Sequence, residues 1–163
     1  MSSSSPALEF LVVGARALAH TDGLDQRLET ILGSLAEQLG IESAAIFIRG
    51  GQHDRLEPVA SFGLSASALA GLQSAVGNPA HPIARTAADA VTTFDVAPTA
   101  PGGPALRSHL PLTITRDGND VVLGVLALAH ERPIGVGLRP LLVACGDLAA
   151  VAIEQSRSTL PRT

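Results

Sequence analysis

The stretch from Ala105 to Arg132 constrains the fold of this chain more than any other. Two runs in which apolar residues alternate with polar ones flank the dipeptide Asp117-Gly118. An Asp-Gly pair between such runs is typical of a tight hairpin turn, because glycine readily takes the positive φ that the turn requires. The pattern therefore predicts two antiparallel strands, near residues 105–115 and 120–130.

The composition indicates one domain and disfavours several classes of function. The chain has 163 residues, of which 46% are hydrophobic, and this suffices for one proper core. The net charge is −4 and the 11 basic residues are scattered singly, so direct binding to nucleic acid is not expected. Charges interrupt the apolar stretches, and no basic residue precedes the short apolar run Phe10–Val13. Neither a membrane span nor a secretory signal is predicted, and the cytoplasm is the expected location.

Hydrophobic periodicity predicts helices before, between and after the strands. The predicted helices cover residues 24–39, 65–76, 81–89 and 138–157. The predicted strands cover residues 44–49, 56–62, 91–96, 105–115 and 120–130. Pro58 favours an edge position for its strand, because proline has no N–H to donate to a neighbour. This order predicts an α+β sandwich with a mostly antiparallel sheet.

The predicted boundaries place one domain over residues 21–158. Residues 1–7 are expected to form a disordered polar leader, and residues 159–163 a tail. Residues 8–20 are expected to form a helical extension before the domain.

Several segments resemble, in register, the GAF domains, which are small sensory modules of signalling proteins. LDQRLETILGSLAEQLGIESAAIFI resembles the opening helix and first strand of that family, and HPIARTAADAVTTFDV resembles the passage beside its ligand pocket. LRSHLPLTI and VLGVLALAHE resemble the last two strands, and LLVACGDLAAVAIEQSR resembles the closing helix. The resemblance implies a GAF-like antiparallel sheet of about five strands, with the terminal helices on one face. Short helices and loops would cover a pocket on the other face.

The chemically specialised members of that family differ from this chain. Bilin-binding members use a cysteine near the pocket, and free-methionine-sulfoxide reductases use several pocket cysteines. The single cysteine here, Cys145, lies in the final helix on the face expected to pack. The Asn-Lys-Phe-Asp-Glu signature of the cyclic-nucleotide members cannot be present, because the chain has no lysine. The resemblance therefore implies a module that is not an enzyme and needs no cofactor.

The candidate ligand-binding residues lie in segments next to the implied pocket. Apolar walls are expected from aromatic, aliphatic and small side chains, and an acidic group of the ligand would be fixed by cationic and imidazole side chains. The apolar candidates are Phe62, Ile83, Ala87 and Phe94. The polar candidates are Arg85, Arg107 and His109. Exposure of both arginines at the surface is the alternative interpretation.

Three histidines are alternative candidates for a haem or metal ligand. His81 stands before Pro82 and is well placed to start a helix, whereas His130 is expected to be solvated where a strand leaves the sheet. His109 interrupts an apolar strand and would need a hydrogen-bond partner if buried. A satisfied or exposed histidine is the more common role, so no metal site is predicted, and no catalytic set of residues is evident.

The leading prediction is a non-enzymatic sensory or regulatory module that binds a small molecule, dimerises, or does both. One alternative is a purely structural dimerisation domain without a ligand, and another is a haem- or metal-dependent sensor. The expected partners are an unidentified small molecule and a second copy of the chain, together with a separate signalling effector protein; nucleic acid and membrane are not among them. Phe10–Val12 have no obvious place in the small core and favour a homodimer.

Overall fold

The computed structural model describes residues 23–50, 55–97 and 106–159. The predicted leader and helical extension, and with them Phe10–Val12, lie outside these residues. The helices are α1 (Leu24–Leu39), α2 (Ala66–Ala75), α3 (Pro82–Asp89) and α4 (Arg139–Thr159). The strands are β1 (Ser43–Gly50), β2 (Arg55–Phe62), β3 (Thr93–Val96), β4 (Leu106–Arg116) and β5 (Asn119–His130). A short 3₁₀ turn, Val136–Leu138, precedes α4.

The five strands form one antiparallel sheet in the order β2-β1-β5-β4-β3. The predicted hairpin is confirmed: β4 and β5 meet at the pair Arg116 and Asn119, and the two turn residues take φ of 50° and 81°. Two positive φ values in succession match a type I′ turn, whose twist suits antiparallel strands. Pro58 lies in an edge strand, as predicted.

Each face of the sheet has its own hydrophobic core. α1 and α4 contact each other on one face, where their apolar stripes pack against Ile46, Leu110 and Leu126. α2 and α3 lie on the other face, over Phe47 and Val125. The prediction that the two long helices share a face is therefore confirmed, and the sheet is the middle layer of an α+β fold.

A bulge in β3 determines which way its side chains point. The register against β4 shifts between Thr93 and Val96, so that Phe94 and Asp95 together lie opposite Ser108. Phe94 follows Thr93, which lies opposite His109 on the cavity face, and therefore points to the other face and packs against the core under α1 and α4. The expectation that Phe94 is a wall of the pocket is therefore corrected, and the bulge brings Val96 instead of Asp95 back to the cavity face.

The apolar character of the final helix belongs to the core. By length and composition alone, Val136–Ser156 would suffice to cross a membrane. Its buried stripe, however, packs on the sheet through Leu142, Cys145, Ala149 and Ile153. A helix that closes a hydrophobic core needs the same composition.

Candidate functional site

A cavity of about 340 Å³ lies between the sheet and the beginning of α3. Its size falls within the range of small-molecule sites, which is roughly 300–1,000 Å³. Strands β1, β4 and β5 contribute to it, together with the end of β3 and side chains from α2 and the segment before it. The lining residues are Ser43, Ala44, Ala45, Leu64, Leu72, His81, Pro82, Ile83, Val96, Ala97, Arg107, His109, Ala127, Leu128 and Ala129.

Small side chains on paired strands keep this cavity open. Ser43 pairs with Ala129, and Ala45 pairs with Ala127 across β1 and β5. Because a methyl or hydroxymethyl group fills little of the space above a sheet, larger side chains at these positions would occupy the cavity. The apolar walls are completed by longer side chains, among them Ile83.

The polar groups of the cavity include one guanidinium and two imidazoles. Arg107 and His109 are two residues apart in β4, so both lie on the same face of the sheet. His81 approaches from the start of α3 and is close enough for its charge to affect that of His109. Among the described lining residues there is no aspartate or glutamate. A site with this set of groups favours a negatively charged ligand.

His109 is a buried base that stays neutral at physiological pH. His109 is only 5% exposed, and the hydroxyl oxygen of Thr93 lies 3.5 Å from its Nδ1. Burial lowers the pKa of His109 to about 4, and the nearby His81 and Arg107 lower it as well. A neutral imidazole carries one N–H donor and one acceptor nitrogen. His109 can therefore offer a hydrogen bond without carrying a charge.

His81 begins α3 and lines the cavity at the same time. Its Nδ1 accepts a hydrogen bond from the backbone N–H of Ile83 at 3.2 Å, and Pro82 occupies the first turn of the helix. Burial, followed by the charge of Arg107, lowers the pKa of His81. The prediction that His81 starts a helix is thus confirmed. Its place in the cavity was missed, although a polar residue at a helix start next to the implied pocket was visible in the sequence.

The structure brings together three of the seven predicted site residues. Ile83, Arg107 and His109 line the cavity. Phe62 ends β2 and is 40% exposed, and Arg85 is exposed on α3. Neither of these two lines the cavity.

Ala87 also lies away from the cavity. It is buried in the core beneath α3 and contributes to a second cavity of about 290 Å³, next to Arg49 and Arg55. Phe94 lies on the opposite face of the sheet, for the reason given above. Ala87, near the C-terminal end of α3, therefore does not form the predicted wall of the cavity beside His81.

His130 is buried, and the expectation that it is solvated is wrong. It is 1% exposed because β5 continues through it, pairing His130 with Leu106. Nδ1 donates to the carbonyl oxygen of Arg132 at 2.7 Å, so in the neutral ring Nε2 accepts from the hydroxyl of Ser108 at 2.9 Å. Both ring nitrogens are thereby satisfied, which indicates a structural role.

Asp95 connects the edge strand to the start of α4. Its carboxylate accepts from the backbone N–H of Ile134 at 2.9 Å and from the guanidinium of Arg139 at 3.0 Å. The same guanidinium stacks on Phe94, 4.7 Å from the ring centroid. The bulged residues of β3 thus contact the last helix, while the neighbouring Val96 lines the cavity.

Cys145 is remote from the cavity chemistry. It is fully buried in the core under α1 and α4 and does not line the cavity. Burial raises the pKa of its thiol well above the usual range, so the thiolate that reacts as a nucleophile is disfavoured. Within the described part of the chain, no three or more His, Cys, Asp or Glu side chains cluster closely enough to hold a metal ion.

Comparison with known proteins gives one family and a set of similar structures. The model of the GAF domain family matches residues 23–155 of this chain. The GAF domain of an Acinetobacter phosphoenolpyruvate-protein phosphotransferase superposes with a TM-score of 0.77 at 14% identity, over 99% of this chain and 100% of that one. The corresponding domain from Coxiella burnetii gives a TM-score of 0.73 at 16% identity, over 94% of this chain and 98% of that one.

A third similar structure is an enzyme. The free methionine-R-sulfoxide reductase of Neisseria meningitidis, solved in complex with its substrate, has a TM-score of 0.69 at 16% identity, over 98% of this chain and 97% of that one. No curated protein matches this chain. At such identities the structural likeness shows the fold alone.

Proposed function

Because this chain belongs to the GAF domain family, whose members are found in sensor and signalling proteins, we propose that it is a sensory module for a small organic anion. The observation that carries the proposal is the composition of the cavity beneath α3. Apolar walls surround Arg107 and two imidazoles, and no carboxylate lies among the described lining residues. Apolar walls with a few convergent polar groups are the usual design of a small-molecule site.

Arg107 is the residue that gives the site its charge. A guanidinium is charged at every physiological pH and matches the geometry of a carboxylate with two parallel N–H donors. Because Arg107 is half-buried, an anion that it binds is partly shielded from water, and this strengthens their attraction. A ligand with an apolar body and one acidic group would satisfy both parts of the cavity.

We propose that the module binds its ligand without transforming it. The reductase with a similar fold raises the question of methionine-sulfoxide chemistry, and in this chain the single cysteine is buried away from the cavity. Reduction by a cysteine nucleophile requires an accessible thiolate and commonly a resolving thiol. Incubation with free methionine-R-sulfoxide and a dithiol reductant is therefore expected to yield no methionine.

The binding proposal is tested by a thermal-shift screen in which small organic acids are compared with neutral and cationic compounds of similar size. A ligand at 100 times its dissociation constant should raise the free energy of unfolding by about 2.7 kcal/mol. We expect acids to be the stabilising class, and we expect the Arg107→Gln variant to lose the effect. Arg85→Gln is the matched control, because Arg85 is an exposed arginine outside the cavity.

Two outcomes would overturn the proposal. In one, every stabilising compound is neutral or cationic. In the other, Arg107→Gln responds to the acids as the wild type does. Loss of the response in Arg85→Gln as well would indicate a general effect of charge and would equally contradict a site at Arg107.

A further inference from the structure

We infer that His81 is an anion-recognising residue of the cavity, and that the cavity selects small carboxylates that carry no amino group. The inference deepens the proposed function and rests on it. It assigns to His81 a second task besides beginning α3. It also narrows the ligand to one class among organic anions.

The first step is the hydrogen bond that fixes the ring of His81. A backbone N–H can only donate, so Nδ1, which lies 3.2 Å from the nitrogen of Ile83, must be the acceptor. In a neutral imidazole the proton then resides on Nε2. Protonation of Nδ1 would place two donors against each other and remove the cap. His81 is thereby held as a neutral ring with one N–H donor.

The second step is the surroundings of that donor. His81 lines the same cavity as Arg107 and His109. Burial and the charge of Arg107 both disfavour a protonated His81, which is consistent with the neutral form that the cap requires. A neutral donor in the same cavity as a guanidinium is suited to an oxygen anion, because it adds a hydrogen bond without like-charge repulsion toward the arginine.

The third step concerns what the cavity lacks. An amino acid brings an ammonium group as well as a carboxylate, and burial of an unpaired charge is costly. The described lining residues include no aspartate or glutamate that would pair with it. Acids without an amino group avoid this cost and are therefore expected to bind more tightly than amino acids of the same carbon skeleton.

The first experiment measures the tautomer directly and needs no ligand. Long-range ¹H–¹⁵N correlation spectra of the imidazoles, assigned with a His81→Asn variant, report which nitrogen carries the proton. We expect His81 to carry its proton on Nε2 at pH 7. A proton on Nδ1 would overturn the assignment of His81 whatever the cavity binds.

The second experiment measures affinity by titration calorimetry with matched probes. The acids are 4-methylpentanoate and benzoate, the neutral controls are their amides, and leucine supplies the ammonium group on the first skeleton. We expect at least one acid to bind the wild type. Its amide and leucine should each bind with a dissociation constant at least about tenfold higher, which corresponds to a loss of about 1.4 kcal/mol of binding free energy. An amide or leucine that binds as tightly as the acid would overturn the ligand class while leaving a small-molecule site.

Two variants separate the cap from the recognition of the anion. In His81→Asp a carboxylate takes over the cap, since aspartate is among the best residues at a helix start, but it puts a negative charge in the cavity. We expect the acid to bind this variant at least about 100-fold more weakly, because like charges repel. Acid binding to His81→Asp with wild-type affinity would overturn the role of His81 and leave the proposed function standing.

Ser65→Ala is the matched control for capping alone. Ser65 caps α2 by accepting from the N–H of Ala68 at 3.0 Å, and it does not line the cavity. Loss of this cap is expected to lower the free energy of unfolding by about 1 kcal/mol with unchanged acid affinity. An equal loss of acid affinity in Ser65→Ala would show that acid affinity follows the stability of the fold and not the side chain at position 81. If neither acid binds the wild type at about 10 mM, the ligand class inferred here fails, whereas the wider screen of organic anions decides the proposed function.

Discussion

Two buried histidines on the paired strands β4 and β5, His109 and His130, differ in how far the protein satisfies their ring nitrogens. His130 uses both ring nitrogens in hydrogen bonds of 2.7 and 2.9 Å to groups of the protein. Among the described residues, the hydrogen-bond contact of His109 is longer: Thr93 Oγ1 lies 3.5 Å from its Nδ1. A buried polar group without strong partners costs free energy, and such groups persist where a ligand completes them. The difference in partners is consistent with the proposed binding role of His109 and with a structural role of His130.

The lowered pKa of His109 predicts acid sensitivity of the fold. With a pKa of 6.5 in the unfolded chain and about 4 in the folded protein, the unfolded state takes up the proton first. The free energy of unfolding therefore falls as the pH decreases from 6.5 to about 4, by at most about 3 kcal/mol from this residue.

The measurement is urea unfolding at pH 7.5 and pH 4.5, for the wild type and for His109→Gln, which cannot titrate. We expect the decrease on acidification to be smaller in the variant by about 2 kcal/mol. Comparison between the two proteins removes the contribution of the other titrating groups, which both share. The same decrease in both would show that His109 is not the source of the sensitivity.

At the scale of helices and strands, an element could be predicted from the sequence where the residues that determine it are neighbours along the chain. The helix Leu24–Leu39 was predicted with the same ends, and the hairpin at Asp117-Gly118 was predicted from two residues. Both follow from neighbours along the chain. The bulge of β3 is held instead by contacts of Asp95 with Ser108, Ile134 and Arg139, which are 13 to 44 residues away.

The same reasoning explains which residues of the candidate site could be predicted from the sequence. Arg107 and His109 could be predicted because alternation in a long strand places them on one face. Phe94 could not, since the pattern of its short strand does not say which alternate residues face the cavity, and Arg85 required knowledge of which side of α3 meets the sheet. Periodicity gives a helix its buried stripe, but which of two adjacent cavities a residue lines depends on how that helix docks.

The centre of the sheet gives a prediction about strand packing. A Cβ atom added to Gly124 in β5 would lie 2.0 Å from the carbonyl oxygen of Phe47 in the paired strand β1. Since backbone cannot give way as a flexible side chain does, Gly124→Ala must displace one of the two strands. We expect it to lower the free energy of unfolding by about 3 kcal/mol or more.

Gly146→Ala is the control for this prediction. Gly146 is also buried, in α4, but its added Cβ would meet only Leu112 Cδ2 at 3.5 Å, an ordinary contact. Alanine in the interior of a helix is favoured over glycine by about 1 kcal/mol. Chemical denaturation should therefore separate the two variants clearly. Equal stability of Gly124→Ala and the wild type would show that the strands are not packed as closely as described.

On the scale of the whole molecule, the cavity and the two long helices lie on opposite faces of the sheet. The strand β3 touches both sides: Val96 lines the cavity, and Asp95 contacts Arg139 at the first residue of α4. This arrangement leaves the outer surface of α1 and α4 available while the cavity is occupied. Ligand binding and association with another chain would therefore not compete for the same surface.

The outward side of α4 supports the expectation of a homodimer. Val143 and Val151 are 41% and 45% exposed, and their spacing of eight residues places them on the same side of the helix. Exposed apolar side chains aligned in this way are typical of an interface, and a two-fold dimer uses the same patch twice.

We expect light scattering after size exclusion, at about 50 µM, to give twice the chain mass of 16.6 kDa. The double variant Val143→Glu, Val151→Glu should give the mass of one chain, since a buried carboxylate on each copy is unfavourable and is repeated by symmetry. Val91→Glu is the control, because Val91 is 55% exposed and lies between α3 and β3, outside α4. Equal dissociation by Val91→Glu would show that the outward side of α4 is not the interface. A wild type with the mass of a single chain would refute the dimer.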